Sequence, residues 1–166
     1  MIALEIRRGT AAEMLALCGG QRISVESPTA LYFHRNVESG NAEFWLIESD
    51  GDIVGELYAF HRLDDADFAD GVNRSYLCAF SVRKDLRGRG LGTALMARVL
   101  ESLRAQRFAE ATIGVDVREE ANIRLYRRIG FVEPVKLSDV DPCMLDENWQ
   151  PTSCAKFALL KKALRE

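Results

Sequence analysis

The glycine-rich segment Arg87–Thr93 has the residue types and the position needed to bind a phosphate group. It carries glycines at three alternate positions, after the apolar run Tyr76–Val82 and before apolar residues at helical spacing in Leu91–Leu103. Glycine lets the backbone turn tightly and approach a ligand, and the free N–H groups at the start of a helix bind anions. The segment therefore predicts a phosphate-bearing ligand; the alternative is a tight strand-to-helix turn that only requires glycine.

Two common nucleotide-binding motifs fit this segment poorly. A P-loop needs Gly-Lys-Ser or Gly-Lys-Thr, and neither occurs. A dinucleotide-binding motif needs a third glycine where Thr93 stands, and Asp116 is the only acidic residue near the expected ribose-binding position. A dinucleotide-binding domain is thus the disfavoured alternative.

A second block downstream identifies a family resemblance. Asn122-x-x-Leu125-Tyr126-x-x-x-Gly130-Phe131 follows Arg87-x-x-Gly90-x-Gly92 at a distance that leaves room for one strand, Thr112–Val117. Both blocks, in this order, resemble the GNAT superfamily of N-acetyltransferases. The resemblance implies acetyl-coenzyme A as cosubstrate and no metal. It also implies the cofactor-binding residues Phe80, Ser81, Val82, Arg87, Gly88, Arg89, Gly90, Leu91, Gly92, Thr93 and Asn122.

Tyr126 is the candidate general acid that the resemblance implies. In the family mechanism an amine attacks the thioester directly, and the departing thiolate needs a proton that a tyrosine hydroxyl can supply. The alternative is a tyrosine that only packs the short helix against the sheet.

The general base is harder to assign. Some family members place a glutamate early on the strand before the loop, where this chain has Tyr76. We assign the role to Glu56, because a carboxylate among apolar strand residues can have a raised pKa; a solvent-facing Glu56 is the alternative, and Asp116 and His61 are weaker candidates. The missing glutamate also keeps open a non-catalytic acyl-coenzyme A sensor of the same fold.

Two acidic segments could attract a cationic acceptor or could be ordinary solvated loops. The second also contains Met144 and Trp149, which could line an acceptor pocket or anchor the loop. The acidic residues are Asp64, Asp65, Asp67 and Asp70 in the first segment, and Asp139, Asp141, Asp146 and Glu147 in the second.

The elements that must position these residues form a mixed α/β sheet. The predicted order is β, α, α, β, β, β, α, β, α, β, β, with an Asp50-Gly51 hairpin and with strand–helix–strand units that require local parallel pairing. The last two strands, Val132–Leu137 and Lys156–Leu160, are expected to flank a long loop. The GNAT resemblance implies a mostly antiparallel central sheet flanked by helices, with the strand before the loop splayed from its parallel neighbour.

Composition limits the class of protein. The chain has 166 residues, a net charge of -3 and 48% hydrophobic residues, which is ordinary globular usage and excludes a disordered chain. We expect one GNAT-like domain over residues 1–166. The acidic pI of about 5.5 argues against nucleic acid as a partner.

The remaining expectations concern location and partners. No apolar stretch approaches the roughly 18 residues of a membrane span, and early charges interrupt any signal peptide, so a cytoplasmic protein without membrane contact is expected. No zinc-ligand spacing occurs among the cysteines and histidines. The acceptor is expected to be a small-molecule or peptide amine, and the resemblance implies a homodimer as one possible assembly.

Overall fold

The computed structural model describes residues 3–20 and 26–165, in which seven strands form one sheet with helices on both faces. The elements follow the predicted order. They are β1 (Leu4–Arg8), α1 (Ala11–Gly20), α2 (Pro28–Ser39), β2 (Ala42–Ser49), β3 (Asp52–Phe60), β4 (Arg74–Val82), a short 3₁₀ turn (Lys84–Leu86), α3 (Leu91–Ala105), β5 (Glu110–Asp116), α4 (Glu120–Ile129), β6 (Glu133–Leu145) and β7 (Pro151–Ala163).

The sheet has the strand order β1-β2-β3-β4-β5-β7-β6. Strands β4 and β5 are the parallel pair, and the other neighbours are antiparallel. The parallel ladder ends at Leu77 and Ile113, although β4 continues to Val82 and β5 to Asp116. The predicted mixed sheet, with β4 splayed from its parallel neighbour, is therefore confirmed.

Apolar side chains cover both faces of the sheet. On one face, Leu57 and Leu77 pack with Leu95 of α3 and Tyr126 of α4. On the other face, a second cluster includes the strand residues Phe44, Tyr58 and Tyr76, together with Met14 of α1 and Phe33 of α2. Helices on both faces bury the central strands, which is why Tyr76–Val82 reads as an apolar run rather than as an alternating one.

Local sequence signals fix several of these elements. The Asp50-Gly51 turn between β2 and β3 has φ values of 49° and 87°, the positive values that a two-residue hairpin loop requires. Ser27 begins α2 by accepting a hydrogen bond from the Ala30 N–H at 3.2 Å. Gly40 ends that helix with φ 83°. The hairpin at Asp50-Gly51 was predicted and is confirmed.

The prediction of a long loop between the last two strands is wrong. Instead, β6 and β7 each run for 13 residues and pair as an extended hairpin. Register irregularities at three places along β6 disrupt its alternation of apolar and polar residues, and this hides the strand from sequence patterns. The Asp146 carboxylate closes the turn by accepting hydrogen bonds from the N–H groups of Asn148 and Gln150, at 2.8 and 3.0 Å.

His61 lies in a polar cluster rather than at the surface end of a strand. Its Nε2 is 2.8 Å from Oε2 of Glu43, whose side chain is 1% exposed. Gln106 also donates to this carboxylate, at 3.0 Å. Burial acts to raise the pKa of Glu43, but hydrogen bonds from His61 and Gln106 outweigh it and lower that pKa. The cluster links β2 to the residues that directly follow β3 and α3, and its role is structural.

No helix in the described part of the chain is both long and apolar enough to cross a membrane.

Candidate active site

A cleft of about 550 Å³ opens on the α3 and α4 side of the sheet, beside the point where β4 leaves β5. Its walls come from the end of β4, the glycine-rich loop, the first turn of α3 and one face of α4. The lining residues are Phe80, Ser81, Val82, Leu86, Arg87, Gly88, Gly90, Leu91, Gly92, Thr93, Asn122, Leu125, Tyr126 and Arg128.

The loop presents backbone N–H groups to this cleft. Gly88 and Gly90 both have φ 79°, a left-handed conformation that side chains rarely adopt. Gly90 caps α3 without a side-chain hydrogen bond, so the first N–H groups of the helix have no capping acceptor. Arg87 fixes the loop from outside because its Nε donates to the Val82 carbonyl at 2.8 Å. A helix start of this kind is suited to binding an anion.

Gly92 has a different role from the other two glycines. A Cβ built on it would lie 2.8 Å from Cζ of Phe80, a partly buried side chain, so the Phe80 ring would have to shift. By contrast, a Cβ on Gly88 or Gly90 would meet nothing within 4 Å. Gly92 therefore allows α3 to pack closely on β4, whereas the other two set the backbone conformation of the loop.

A bulge in β4 shapes the floor of the cleft. Ala79 has φ 53°, unusual for a residue with a side chain. The pairing register between β3 and β4 shifts nearby, between Glu56 and Tyr58. The bulge changes the alternation of the strand, so that Phe80 packs on the α3 side while Ser81 pairs with Glu56. Neither the bulge nor the positive φ of Ala79 was predicted from the sequence.

Tyr126 lies on the wall of the cleft formed by α4 and is 7% exposed. Its ring lies against Phe80 and Phe131, with centroid separations of 6.4 Å to each. Burial, helped by the charge of Glu119, raises the pKa of Tyr126 to about 12. Its hydroxyl is therefore fully protonated at neutral pH and able to donate. One turn earlier on α4, Asn122 lines the same cleft and donates to Glu119.

Glu56 lies in an adjacent cleft of about 300 Å³ that shares Ser81, Val82 and Arg87 with the first. It is partly buried, not solvent-facing, and its Oε1 accepts a hydrogen bond from the Ser81 hydroxyl at 3.4 Å. Burial raises the pKa of Glu56 to about 7, against the lowering effect of that hydrogen bond. Such a carboxylate can accept a proton near neutral pH.

The structure brings the predicted cofactor residues together, with one exception. All of them line the main cleft except Arg89, which is exposed. Leu86, Leu125 and Arg128 also line the cleft and were not predicted. Leu125 stands inside the second sequence block, so it could have been found there; nothing in the sequence marks Leu86 or Arg128.

The two weaker candidates for the general base do not have suitable surroundings. Arg118 donates twice to Asp116, at 3.1 and 2.8 Å. Hydrogen bonds from Arg118 lower the pKa of Asp116 to about 2, which makes it a poor proton acceptor. His61 is occupied by Glu43 on a different part of the sheet and lines neither cleft.

The acidic residues of the two segments have different partners in the structure. Lys136 of β6 binds Asp65 and Asp67 at 2.7 and 3.0 Å, so the first segment is partly neutralised by a distant strand. Asp70 accepts three backbone N–H groups at 2.8 to 2.9 Å. In the second segment, Asp141 turns inward, toward the splay between β4 and β5.

Comparison with known proteins identifies the family. Residues 12–131 match the model of the Acetyltransferase (GNAT) family. This match covers most of the chain and includes both sequence blocks and the cleft described above. The chain belongs to the GNAT family; it is an acetyltransferase, with acetyl-coenzyme A as its cosubstrate, as predicted.

Relatives and solved structures agree with this assignment. The chain is 26% identical over 141 residues to an L-methionine sulfoximine/L-methionine sulfone acetyltransferase of Pseudomonas aeruginosa, covering 78% of this chain and 81% of that protein. It is 32% identical over 95 residues to a mycothiol acetyltransferase of Streptomyces coelicolor, covering 55% of this chain and 27% of that one. A GNAT acetyltransferase from Elizabethkingia anophelis with acetyl-coenzyme A bound has the same fold, with TM-score 0.61 at 15% identity, over 96% of this chain and 97% of the other.

Proposed function

We propose that this protein transfers the acetyl group of acetyl-coenzyme A to a primary amine by direct attack, with Glu56 as general base and Tyr126 as general acid. The observation that carries the proposal is the placement of these two groups around β4. Tyr126 lies in the cleft on the α3 and α4 side, and Glu56 lies against Ser81 in the adjacent cleft. An acid and a base thus reach the same strand segment from different sides.

Their protonation states suit these roles. The attacking amine must lose a proton, and a carboxylate with a pKa of about 7 is both substantially ionised and basic at neutral pH. As the N–C bond forms, the C–S bond breaks and the sulfur leaves as a thiolate. The Tyr126 hydroxyl, protonated at neutral pH, donates its proton to that sulfur.

The glycine-rich loop supports the donor side of the proposal. The pyrophosphate of acetyl-coenzyme A would be held by N–H groups from Gly88 to Thr93, and the pantetheine arm would follow Phe80, Ser81 and Val82 toward Asn122. Phosphate at a helix N-terminus is favoured by free donors and by the helix dipole. The volume and shape of the cleft, about 550 Å³, are compatible with such a ligand.

Turnover is favoured over a binding-only sensor because the named relatives are acetyltransferases and because the two adjacent clefts hold a candidate acid and a candidate base. The acceptor is a small-molecule or peptide amine. The direct test is thiol release from acetyl-coenzyme A in the presence of an amine panel that includes amino acids, methionine sulfone among them, and simple mono- and diamines. Binding of acetyl-coenzyme A without release for any amine would support the sensor.

The pH dependence of the reaction tests the role of Glu56. The base must be ionised, so kcat/KM of the wild type should rise with pH through about 7 and then level off. The Ser81 hydrogen bond lowers the pKa of Glu56, so Ser81→Ala should move this limb to higher pH. Glu56→Gln should remove the limb and lower kcat/KM by about 10²-fold. Initial rates of thiol release between pH 5.5 and 9 measure all three.

Stability measurements give an independent readout for Glu56. Its pKa in the folded protein, about 7, lies above its value in the unfolded chain. The stabilisation that this difference gives is therefore fully present below about pH 4.3 and is lost as pH rises through about 7. Glu56→Gln should therefore be as stable as the wild type at pH 4 and more stable at pH 8. Glu101→Gln, which changes an exposed glutamate on α3, is the control. A pH–rate limb that survives in Glu56→Gln would assign the base to another group.

A further inference from the structure

Asp141 is the acidic residue of the late segment that reaches the splay between β4 and β5. A cavity of about 290 Å³ fills this splay, and Asp141 lines it with Tyr76, Cys78, Ala79 and Tyr126. The cavity shares Phe80, Asn122 and Tyr126 with the main cleft, so it borders the proposed site of reaction. The long β6–β7 hairpin, which was not predicted, is what carries Asp141 there.

The Asp141 carboxylate is held in position, and no described residue supplies a countercharge to it. Oδ1 accepts from the Cys143 N–H at 2.9 Å, and Oδ2 accepts a long hydrogen bond from the Tyr76 hydroxyl at 3.5 Å. None of the ion pairs formed by the described residues includes Asp141. Burial raises the pKa of Asp141, since an ionised carboxylate in such a place is costly without a cation.

Asp141 and Glu56 approach the same stretch of β4 from its two ends. Asp141 contacts Tyr76, and Glu56 pairs with Ser81. The Cys78 thiol lies between them: burial raises its pKa, and the charges of both carboxylates add to this effect. At about 3.3 Å per residue, the Tyr76 and Ser81 backbones are at most roughly 16 Å apart, a distance that one extended small molecule can cover.

We propose that Asp141 is a specificity-determining residue that binds a second cationic group of the acceptor, so that the preferred acceptors are diamines or longer polyamines. This inference rests on the proposed function, since it places the attacking amine near Glu56. The acceptor would supply at Asp141 the positive charge that residues 3–20 and 26–165 do not. A cation that pairs with a partly buried carboxylate discriminates strongly against an uncharged analogue.

Matched acceptors isolate the second charge. The test compares 1,6-diaminohexane with 6-amino-1-hexanol, and a shorter and a longer pair with the same end groups. The wild type should prefer the diamine by at least about tenfold in kcat/KM for the best chain length. Asp141→Asn keeps an oxygen for the Cys143 N–H but removes the charge. It should therefore lose this preference because kcat/KM falls for the diamine and stays the same for the amino alcohol.

Two further variants serve as controls. Asp141→Glu retains the charge and should retain most of the preference. Asp139→Asn changes an exposed aspartate on the same strand and should behave as the wild type, which controls for the general field of the hairpin. Acetyl-coenzyme A affinity should be similar in all four proteins, because none of these changes removes a residue that lines the main cleft.

The possible failures are distinguishable. If the wild type acetylates amines and Asp141→Asn loses activity equally with the diamine and the amino alcohol, Asp141 does not bind a second cation and the inference is wrong. A wild type that prefers methionine sulfone to every diamine would also overturn it, while leaving the proposed function intact. Absence of thiol release with every amine would reject the proposed function and this inference together.

Discussion

Tyr126→Phe is expected to lower kcat by roughly 10²–10⁴-fold, the usual range for a lost general acid. The substitution removes only the hydroxyl. The ring contacts with Phe80 and Phe131 remain, so the fold and the acetyl-coenzyme A affinity should change little. Because the proton is needed only when the thioester breaks, kcat and kcat/KM should fall together. Steady-state thiol release, with ligand affinity from calorimetry, gives both quantities.

The matched control for this experiment is Tyr32→Phe. Tyr32 also has a pKa raised by burial, to about 12, but it belongs to α2 and lines none of the clefts considered above. The kcat of the Tyr32→Phe variant should stay within about twofold of the wild-type value. If Tyr126→Phe also stayed within twofold, at saturating substrate and with chemistry limiting, Tyr126 would have a packing role instead.

Gly90→Val should weaken acetyl-coenzyme A binding by roughly 10²–10⁴-fold. A branched side chain at φ 79° both strains the loop and keeps a phosphate away from the N–H groups at the start of α3. Losing two charge-assisted hydrogen bonds costs about 3–6 kcal/mol, which corresponds to this range of affinity. Isothermal titration with coenzyme A measures the change directly.

Gly40→Val separates strain from ligand contact. Gly40 has φ 83°, and a Cβ there would also meet nothing within 4 Å, but it ends α2 away from the cleft. Both variants should lose a similar amount of stability, of order 1–3 kcal/mol for the left-handed backbone. Only Gly90→Val should lose affinity. Equal affinities for coenzyme A in the two variants would show that the loop does not hold the pyrophosphate.

The donor side of the site could be predicted because its chemistry depends on local backbone geometry. A short segment encodes a buried strand, glycines at positions of positive φ and a helix start. Gly88 and Gly90 can therefore be recognised from the local sequence. The same holds for the Asp50-Gly51 turn and the Ser27 cap, whose conformations depend on neighbouring residues alone.

The position of Asp141 could not be predicted because it depends on contacts between distant segments. Asp141 meets Tyr76 across 65 positions of sequence, and Lys136 meets Asp65 across 71. Both contacts arise from the β6–β7 hairpin, whose irregular register removes the alternation that reveals a strand. As a result, the sequence shows eight similar acidic residues, and the fold alone separates Asp141 from those that serve turns or ion pairs.

The early end of the parallel ladder has a consequence for the protein without its ligand. Beyond Leu77 and Ile113, the facing sides of β4 and β5 form two additional sheet edges inside the molecule. Unpaired edges are templates for pairing with other chains and are a source of aggregation. A ligand whose amide groups pair with β4 covers such an edge. Bound acetyl-coenzyme A should therefore stabilise the folded protein as well as react, and by mass action it should protect the protein from self-association.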